Sequence, residues 1–541
     1  MDPLSLISSR HTPQDRAADP RQVLNSAGGY TFSVSDETRL RRFLTLGTDG
    51  GTYYVGEAEL TRDNADVVLR MAEEDGRKLV ETILDVSERG AAPRPNPALF
   101  ALAVASASSD PSVRRFALDA LPLVARTGTH LFLFTGYVEQ FRGWGRGLRR
   151  AVAEWYTEKS PNRLAYQVVK YRQREGWSHR DLLRLAHPET EEDSLQALFR
   201  WVTSGEPSDS LPAYVEGYLR ANEPEVSPSR VASLVSSYGL SWEMLPTEAL
   251  AEPVVWRALV EKGLPSTALM RQLPRLTRLG LFRDPELRSS VVSQLTDRDR
   301  LVRARVHPMN VLVAQKTYAL GYSDRGSSEW TPDRRIVDAL EESFYRAFDA
   351  VEPTGKRTLL ALYVSGSMDF GRIAGMPLTP REAASALSLV QLSTEPDAEI
   401  VGFTGSGGLR RGFSGSISSE PGVRPLDISP SRRLDDVLRY VRRLPFGPTD
   451  CSLPIKYAAD NGLEVDTFVV YTDNETWAGT SHPHQALQAY RRATGLPSKM
   501  VVVGMTATGA SIADPSDPNS LDVAGFDSAV PQLISDFSRG F

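Results

Sequence analysis

Thr358-Leu-Leu-Ala-Leu-Tyr-Val364 is a short, unbroken run of apolar and β-branched residues, the pattern typical of a buried strand. Three further runs of this kind follow, and amphipathic segments separate them. The runs are Glu399–Phe403, Thr467–Thr472 and Lys499–Val503, and the amphipathic segments are 380–393, 433–443 and 482–494. Continuous apolar runs that alternate with helices indicate a parallel sheet covered on both faces. The sequence therefore predicts a doubly wound, Rossmann-like α/β domain over residues 357–541.

The chain upstream of this domain shows helical periodicity with almost no strand pattern. Asp110 and Pro111 supply an N-cap and a first-turn proline, and the spacing of Ser178 and Asp181 resembles a capping box. Amphipathic helices recur in pairs about 35–45 residues apart, which is typical of a HEAT-like α-helical repeat array. We expect this array over residues 29–356. The polar stretch 1–28 is predicted to be a flexible N-terminal arm.

Composition excludes several classes of protein. Hydrophobic residues make up 41% and charged residues 24% of the 541 positions, which excludes wholesale disorder and fibrous repeats. No apolar stretch approaches the roughly 18 residues that cross a bilayer, and the N-terminus lacks the apolar core of a signal peptide. The single cysteine, Cys451, cannot form an internal disulfide and excludes a cysteine-based zinc cage. These features predict a cytoplasmic protein without membrane contact.

One window of the sequence is strongly basic. Between Tyr137 and His187 there are 11 Lys or Arg and 5 Asp or Glu, so a local charge of +6 stands in a chain whose formal net charge is −6. We name residues 137–187 the basic segment. Concentrated positive charge interleaved with Tyr and Trp favours phosphate contact and base stacking on RNA. A solvated basic face above core aromatics is the alternative interpretation.

The basic segment supplies the candidate RNA-binding residues. The spacing predicts a helix over 162–175 whose outer face carries Arg163, Tyr166, Lys170 and Arg174. The complete set of candidates is Arg142, Arg146, Arg149, Arg150, Arg163, Lys170, Arg172, Arg174 and His187. His187 follows the helix that Ser178 begins, so it could instead cap backbone carbonyls.

Hydroxyl and carboxylate side chains follow the predicted strands of the α/β domain. Ser365, Ser367, Thr449 and Asp473 offer oxygen ligands of the kind that Mg²⁺ or Ca²⁺ prefers. In this order they resemble the metal-ion-dependent adhesion site of von Willebrand factor A domains, whose first loop reads Asp-x-Ser-x-Ser. Tyr363 occupies the first acidic position in this sequence, and a neutral phenol cannot replace a carboxylate ligand. A divalent cation is therefore expected to bind weakly, and a polar sheet edge without metal is the alternative.

Longer motifs give the sequence a family resemblance that extends from about residue 36 to the C-terminus. The motifs are Gly50-Gly-Thr-Tyr-Tyr54, Trp144-Gly-Arg146, Lys170-Tyr-Arg-Gln-Arg-Glu-Gly-Trp-Ser-His179, Asp181-Leu-Leu-Arg-Leu185, Arg303-Ala-Arg-Val-His-Pro308, Val351-Glu-Pro-Thr-Gly-Lys-Arg357, Thr449-Asp-Cys-Ser-Leu-Pro454, Tyr471-Thr-Asp-Asn-Glu-Thr476 and Ile512-Ala-Asp-Pro515. With them the chain resembles the Ro ribonucleoprotein autoantigen family, which combines a TROVE module with a von Willebrand factor A domain. The bacterial members of that family are the expected relatives.

The resemblance implies a fold and a function. It implies a ring of HEAT-like repeats bridged by the A domain, with Y RNA or a Y-like RNA on the outer surface at Lys170, Arg174 and His187. It also implies that single-stranded 3′ ends of misfolded or precursor noncoding RNA, including rRNA, enter the central hole. Roles in RNA quality control, maturation or decay and in stress survival follow, with an exoribonuclease as a candidate partner. The free protein is expected to be a monomer.

Two other function classes compete with RNA binding. A protein-binding module of the adhesion type would grip an acidic partner through a cation held by the A domain, and Tyr363 argues against it. An enzyme would need a reactive constellation, and the sequence has no G-x-S-x-G elbow. Cys451 has no base beside it in the sequence, although His482 or His484 could approach in the fold. The sequence therefore predicts that the protein is not an enzyme.

Overall fold

The structure is a computed structural model in which part of the chain is described. The described residues are 11–25, 27–33, 36–46, 57–88, 95–174, 176–323, 327–369, 373, 377–405, 409–411, 417–419, 422–444, 448–473, 476–505, 510–524 and 530–540. They fall into two compact units. One comprises Met1–Val67, His307–Met309 and Ala347–Phe541, and the other comprises Val68–Val306 and Asn310–Arg346. The motif at 50–54 lies outside the described residues.

The N-terminal segment packs onto the α/β domain, which differs from the flexible arm expected over residues 1–28. Strands β1 (Gln22–Leu24) and β2 (Tyr30–Ser33) are antiparallel, and Ala510–Ser511 adds a third strand. Gln14 is fully buried, and its Nε2 donates to Asp450 Oδ1 at 2.8 Å. Long-range hydrogen bonds of this kind order the segment, and composition alone does not reveal them. Residues 1–10 lie outside the described residues.

Helices dominate the chain between β2 and the α/β domain. They are α1 (Asp36–Leu46), α2 (Glu57–Glu74), α3 (Gly76–Glu88), α4 (Asn96–Ser106), α5 (Pro111–Asp119), α6 (Leu121–Val124), α7 (Gly128–Phe141), α8 (Arg146–Thr157), α9 (Pro161–Lys170), α10 (His179–Ala186), α11 (Asp193–Ser204), α12 (Ala213–Ala221), α13 (Pro228–Tyr238), α14 (Pro253–Lys262), α15 (Ser266–Arg278), α16 (Pro285–Thr296), α17 (Arg298–Arg303), α18 (Pro308–Leu320) and α19 (Arg334–Arg346). Neighbouring helices such as α12, α13 and α14 pack in succession. The helical part of the predicted fold class is confirmed.

Local sequence signals account for where two of these helices begin. The Asp110 side chain accepts a hydrogen bond from Ser112 N at 2.7 Å and caps α5, which begins at Pro111. Ser178 and Asp181 form a reciprocal capping box at the start of α10. Both predictions are confirmed, since each depends on groups that are within four residues of one another.

The helix predicted over 162–175 is shorter than expected. Helix α9 ends at Lys170, and the chain then forms a two-residue hairpin of β3 (Gln173–Arg174) and β4 (Trp177–Ser178). Gly176 lies in the turn with φ +80°, a conformation that only glycine adopts without strain. The hairpin takes Arg174 off the helix, so the prediction that it shares one helical face with Lys170 is wrong.

The α/β domain is built on a six-stranded sheet. Its strands are β5 (Thr358–Tyr363), β6 (Ala398–Phe403), β9 (Val423–Pro425), β10 (Thr467–Thr472), β11 (Lys499–Gly504) and β13 (Ser520–Ala524). The strand that pairs with β2 is β12 (Ala510–Ser511), and β7 (Leu409–Arg411) pairs with β8 (Ile417–Ser419) in a separate hairpin. The helices are α20 (Pro380–Thr394), α21 (Leu434–Val441), α22 (Leu453–Asp460), α23 (Pro483–Thr494) and α24 (Val530–Arg539). Among the described strands of this sheet only β9 runs antiparallel, which confirms the doubly wound prediction.

The strand order of the sheet places a switch point beside its first strand. The order is β13-β11-β10-β5-β6-β9, so the chain leaves β5 to one side for β6 and returns to the other side for β10. Open α/β sheets bind ligands at the carboxyl ends of strands where the winding reverses. Tyr363 ends β5 and Thr472 ends β10, and this position makes the loops that follow them a candidate site.

Candidate nucleic-acid interface

The basic segment presents most of its predicted cations to solvent. It runs from the end of α7 through α8, α9 and the β3–β4 hairpin to the end of α10. The hairpin packs on α7, and α10 packs on α8. The exposed members of the predicted set are Arg146, Arg149, Arg150, Arg163, Arg172, Arg174 and His187. Exposed guanidinium groups on adjoining elements of one unit suit contact with several phosphates.

Two members of the predicted set, Arg142 and Lys170, are partly withdrawn from solvent. Arg142 follows α7, and its guanidinium donates to the backbone carbonyl of Ser106. Burial lowers the pKa of Arg142, but an arginine stays charged at neutral pH. Arg142 therefore anchors the loop between α7 and α8 and offers less of its charge to a ligand than the exposed arginines do.

Lys170 is held by neighbours at the end of α9. Its Nζ donates to Tyr166 OH at 3.1 Å and lies 3.5 Å from Glu243 Oε1, and its side chain is 16% exposed. Burial alone would lower the pKa of Lys170, but the Tyr166 hydrogen bond and the Glu243 charge outweigh it and raise that pKa. Tyr166 and Tyr171 also place their rings 5.1 and 5.2 Å from Nζ. The ammonium is thus permanently charged and partly neutralised.

Other arginines of the segment also have protein partners. Arg172 Nη1 donates to Tyr218 OH at 2.7 Å, and its guanidinium lies 5.5 Å from the Tyr218 ring centre. Arg150 lies 3.7 Å from Asp119 and 3.5 Å from Glu154, with 58% of its side chain exposed. Exposed pairs of this kind are weak, so a phosphate can displace the carboxylates.

An aromatic pair lies among these cations. The Trp144 and Trp177 ring centres are 5.7 Å apart, and both side chains are half-buried. Trp144 belongs to the loop before α8, and Trp177 is the hairpin partner of the exposed Arg174. This contact is not predictable from the sequence, because 33 positions separate the two residues and no local pattern joins them. An indole ring beside guanidinium groups can stack on an unpaired base.

The hairpin and α10 rest on a buried histidine. His179 is 2% exposed, and its Nδ1 lies 2.7 Å from Tyr156 OH. Its ring packs against Phe132 at 4.7 Å and stacks on Trp155 at 6.4 Å. Burial lowers the pKa of His179 to about 3, so the ring is neutral at physiological pH. This aromatic cluster fixes the start of α10 and therefore positions the adjacent Trp177 and Arg174.

His187 ends α10 in an unusual backbone conformation. Its φ and ψ are 48° and 57°, and its backbone N–H donates to Leu183 O at 3.0 Å. The left-handed conformation costs a non-glycine residue about 1–2 kcal/mol. The capping alternative therefore describes the backbone of His187, while its exposed imidazole is available to a ligand.

The second candidate site lies at the carboxyl ends of β5 and β10. Tyr363 OH and Thr449 Oγ1 are 2.5 Å apart, so the end of β5 does meet the segment that carries Thr449. Ser365 and Ser367 are half-buried in the loop after β5, and Asp473 is buried after β10. Within the described ranges no group of three or more His, Cys, Asp or Glu side chains is placed to hold a metal ion.

The cysteine considered for catalysis is buried. Burial raises the pKa of the Cys451 thiol far above its usual value, which keeps the thiol protonated and unreactive. The His482 ring contacts the N-terminal segment, with Nδ1 3.1 Å from Gln22 Nε2 and Nε2 2.8 Å from Arg16 O.

No described helix is both long and apolar enough to span a bilayer.

The architecture defines a class of protein, in which a helical repeat array with a basic surface and an A-type α/β domain belong to one chain. The chain matches the TROVE domain model over residues 23–208 and 237–317 and the Ro60 vWA domain model over residues 357–538. It is 42% identical over 544 residues to the RNA-binding protein RO60 of Deinococcus radiodurans, with 99% of each chain covered. It is 37% identical over 600 residues to that of Caenorhabditis elegans, with 96% of this chain and 90% of the relative covered.

A solved structure agrees with these sequence relatives. The crystal structure of the Deinococcus radiodurans RO (RSR) protein matches with a TM-score of 0.75 and 42% identity, covering 94% of this chain and 100% of that one. The chain therefore belongs to the Ro family, whose members join a TROVE domain to a vWA domain.

Proposed function

We propose that this protein is a non-catalytic RNA-binding protein of the Ro type whose basic segment is the RNA interface. The observation that carries the proposal is the exposure of arginines on adjoining elements of one unit, beside the Trp144–Trp177 pair. The relatives in Deinococcus radiodurans and Caenorhabditis elegans are both named as RNA-binding proteins. Arginines would bind phosphates and position the RNA, while the indoles would stack on bases that are not paired.

We extend the proposal to the finer functions that the family resemblance implies. A Y RNA or Y-like small RNA would bind the basic segment, and a single-stranded 3′ end of misfolded or precursor noncoding RNA, including rRNA, would enter a central hole. A single strand but not a duplex would pass through such a hole, because an RNA helix is roughly 20 Å wide. Selection of RNA would therefore depend on its shape and little on its base sequence. The protein would act as a cytoplasmic monomer in RNA quality control, maturation or decay and in stress survival, alongside an exoribonuclease.

A binding experiment with matched charge removal tests the interface. The triple variant Arg146→Gln, Arg163→Gln and Arg174→Gln removes three exposed charges of the basic segment. We expect its Kd for a structured small RNA with a free 3′ end to rise at least tenfold at physiological salt. Lys170 is left in place, because its removal would also disturb the end of α9.

The control removes the same number of exposed charges from helices outside the basic segment. Arg77, Arg220 and Arg346 have side chains that are 75%, 45% and 45% exposed, and each forms an ion pair with a glutamate on its own helix, one turn away. Their replacement by Gln should change the Kd less than threefold. Equal losses in the two triple variants would show a diffuse charge effect and would refute the assigned interface.

A further inference from the structure

The loop after β5 is organised by a phenol where the family pattern has a carboxylate. Tyr363 is 4% exposed and lies at the carboxyl end of β5, with its ring centre 5.6 Å from that of Phe403. Its hydroxyl lies 2.5 Å from Thr449 Oγ1, an oxygen that the adhesion-site pattern assigns to a cation. One oxygen of that ligand set is therefore already hydrogen-bonded to the Tyr363 hydroxyl.

The phenol cannot act as an anionic ligand. A tyrosine hydroxyl is protonated at neutral pH, and that of Tyr363 is buried in a hydrogen bond with Thr449. Ser365, Ser367 and Thr449 are neutral as well. Since Tyr363 holds the first acidic position of the pattern, Asp473 supplies the one carboxylate of the predicted ligand set. Mg²⁺ sheds its water reluctantly, and one carboxylate with three hydroxyls compensates for little of that loss.

One oxygen of a neighbouring carboxylate is hydrogen-bonded away from the loop. Asp450 follows Thr449, and its Oδ1 accepts hydrogen bonds from Gln14 Nε2 at 2.8 Å, Ser452 N at 2.9 Å and Ser452 Oγ at 2.6 Å. These contacts tie the carboxylate to the N-terminal segment and to α22. Its Oδ2 is buried without a hydrogen-bond partner in the described part of the chain, so a variant of Asp450 is needed to test whether this oxygen helps to hold a cation.

A buried arginine holds the loop in shape. Arg381 is 1% exposed and lies on α20, where its Nε donates to Asp369 Oδ1 at 2.9 Å and its Nη2 donates to Ser365 O at 2.6 Å. The guanidinium is a permanent positive charge beside the loop. It neutralises Asp369 and fixes the Ser365 carbonyl. The same positive charge also repels a metal cation placed close to these atoms.

We infer that the Tyr363 hydroxyl takes the place of the cation, and that Tyr363 and Arg381 together keep this A domain folded without a divalent ion. The residues present do not fit the metal that the family pattern implies.

Calorimetry and thermal unfolding of the full chain test this inference. MgCl₂, CaCl₂ or MnCl₂ at up to about 1 mM should release no binding heat from the parent and should leave its Tm within about 1 °C of the value in EDTA. The variant Tyr363→Asp restores the missing carboxylate and should bind Mg²⁺ or Mn²⁺, with a Tm at least about 3 °C higher in the metal than in EDTA. The matched variant Tyr363→Phe should lower the Tm and bind no metal.

Each outcome decides the question. Micromolar binding of a cation by the parent, lost in Ser365→Ala or in Asp450→Asn, would overturn the inference. A folded Tyr363→Asp chain that binds no cation would also contradict it, since the phenol would then not be the obstacle. If Tyr363→Asp fails to fold, the parent is titrated with Mn²⁺ and monitored by electron paramagnetic resonance. The spectrum of free Mn²⁺ alone would support the inference, and a spectrum of protein-bound Mn²⁺ that is lost in Ser365→Ala would overturn it.

Discussion

Lys170 Nζ lies 3.5 Å from Glu243 Oε1, so the lysine at the end of α9 is joined to a residue 73 positions further along the chain. Only 16% of the lysine side chain and 25% of the glutamate side chain are exposed. The pair therefore contributes to folding as well as to the charge of the surface. A loss of RNA binding after removal of Lys170 has two possible sources, and stability measurements separate them.

Lys170→Ala is predicted to destabilise the helical unit. Removal of the ammonium leaves Glu243 half-buried without its counterion, which costs roughly 1–3 kcal/mol. Urea unfolding should show this as a lower midpoint with an unchanged slope. The double variant Lys170→Ala, Glu243→Gln should recover part of the loss, because it removes the unpaired charge. A single variant as stable as the parent would show that the pair is energetically neutral.

The exposed arginines are predicted to control the salt dependence of RNA binding. Each phosphate contact that is lost should reduce the slope of log K against log salt by about 0.7–0.9. Arg163→Gln and Arg174→Gln should each lower the slope by this amount. The measurement is fluorescence anisotropy from about 50 to 300 mM KCl. The exposed Arg439, on the α/β domain, is the control, and its replacement should leave the slope unchanged.

The two indoles are predicted to bind bases. Stacking on an aromatic side chain is worth about 1–3 kcal/mol per base, so Trp144→Ala or Trp177→Ala should raise the Kd for a single-stranded oligonucleotide about 5- to 150-fold. The same variants should bind an abasic oligonucleotide as the parent does. Trp477→Ala is the control, since Trp477 is 40% exposed but lies outside the basic segment. Equal losses on both oligonucleotides would exclude stacking.

His179 is predicted to make the protein sensitive to acid. Its pKa is about 3 in the folded chain, below the usual histidine value of 6.5. The unfolded chain therefore binds the proton more tightly, and the stability that the neutral ring contributes is complete above pH 6.5 and falls as the pH drops below it. At about pH 5 the loss relative to neutral and higher pH is about 2 kcal/mol. His179→Phe should flatten the pH profile of the unfolding free energy by that amount, and an unchanged profile would contradict the assignment.

His187 is predicted to be a binding residue in a strained position. His187→Gly removes the imidazole and relieves the φ of 48°, so the chain should be as stable as the parent or up to about 1 kcal/mol more stable. RNA affinity should nevertheless fall. His187→Asn tolerates the same backbone and also lacks the ring, so it should show the same loss of affinity. Full affinity in both variants would leave only the capping role.

Most of the fold could be predicted from local patterns in the sequence. The apolar run at Thr358 is β5, and the run at Thr467 is β10 with the predicted bounds. Parallel strands of an α/β sheet are buried on both faces, so their sequences are continuous and easily distinguished from amphipathic helices. The capping signals at Asp110 and Ser178 are equally clear, because they act over two or three residues.

The remainder depends on contacts between distant positions. Helical spacing predicts that Arg174 lies on α9, but the turn at Gly176 pairs Arg174 with Trp177 instead. Burial of Gln14 against Asp450 joins residues 436 positions apart, and no pattern in the polar N-terminal stretch indicates it. Tyr363 is the exception, since its departure from the motif is visible in the sequence and the structure shows what its hydroxyl contacts.

Photo-crosslinking tests the proposed interface most directly. The full chain would be irradiated with a structured small RNA that carries 4-thiouridine in its unpaired positions, and the crosslinked peptides would be identified by mass spectrometry. We predict crosslinks at Trp144 and Trp177 and on the peptides that carry Arg163 and Arg174, all suppressed by unlabelled competitor RNA. Competitor-sensitive crosslinks confined to peptides outside residues 137–187 would contradict the assignment of RNA binding to the basic segment.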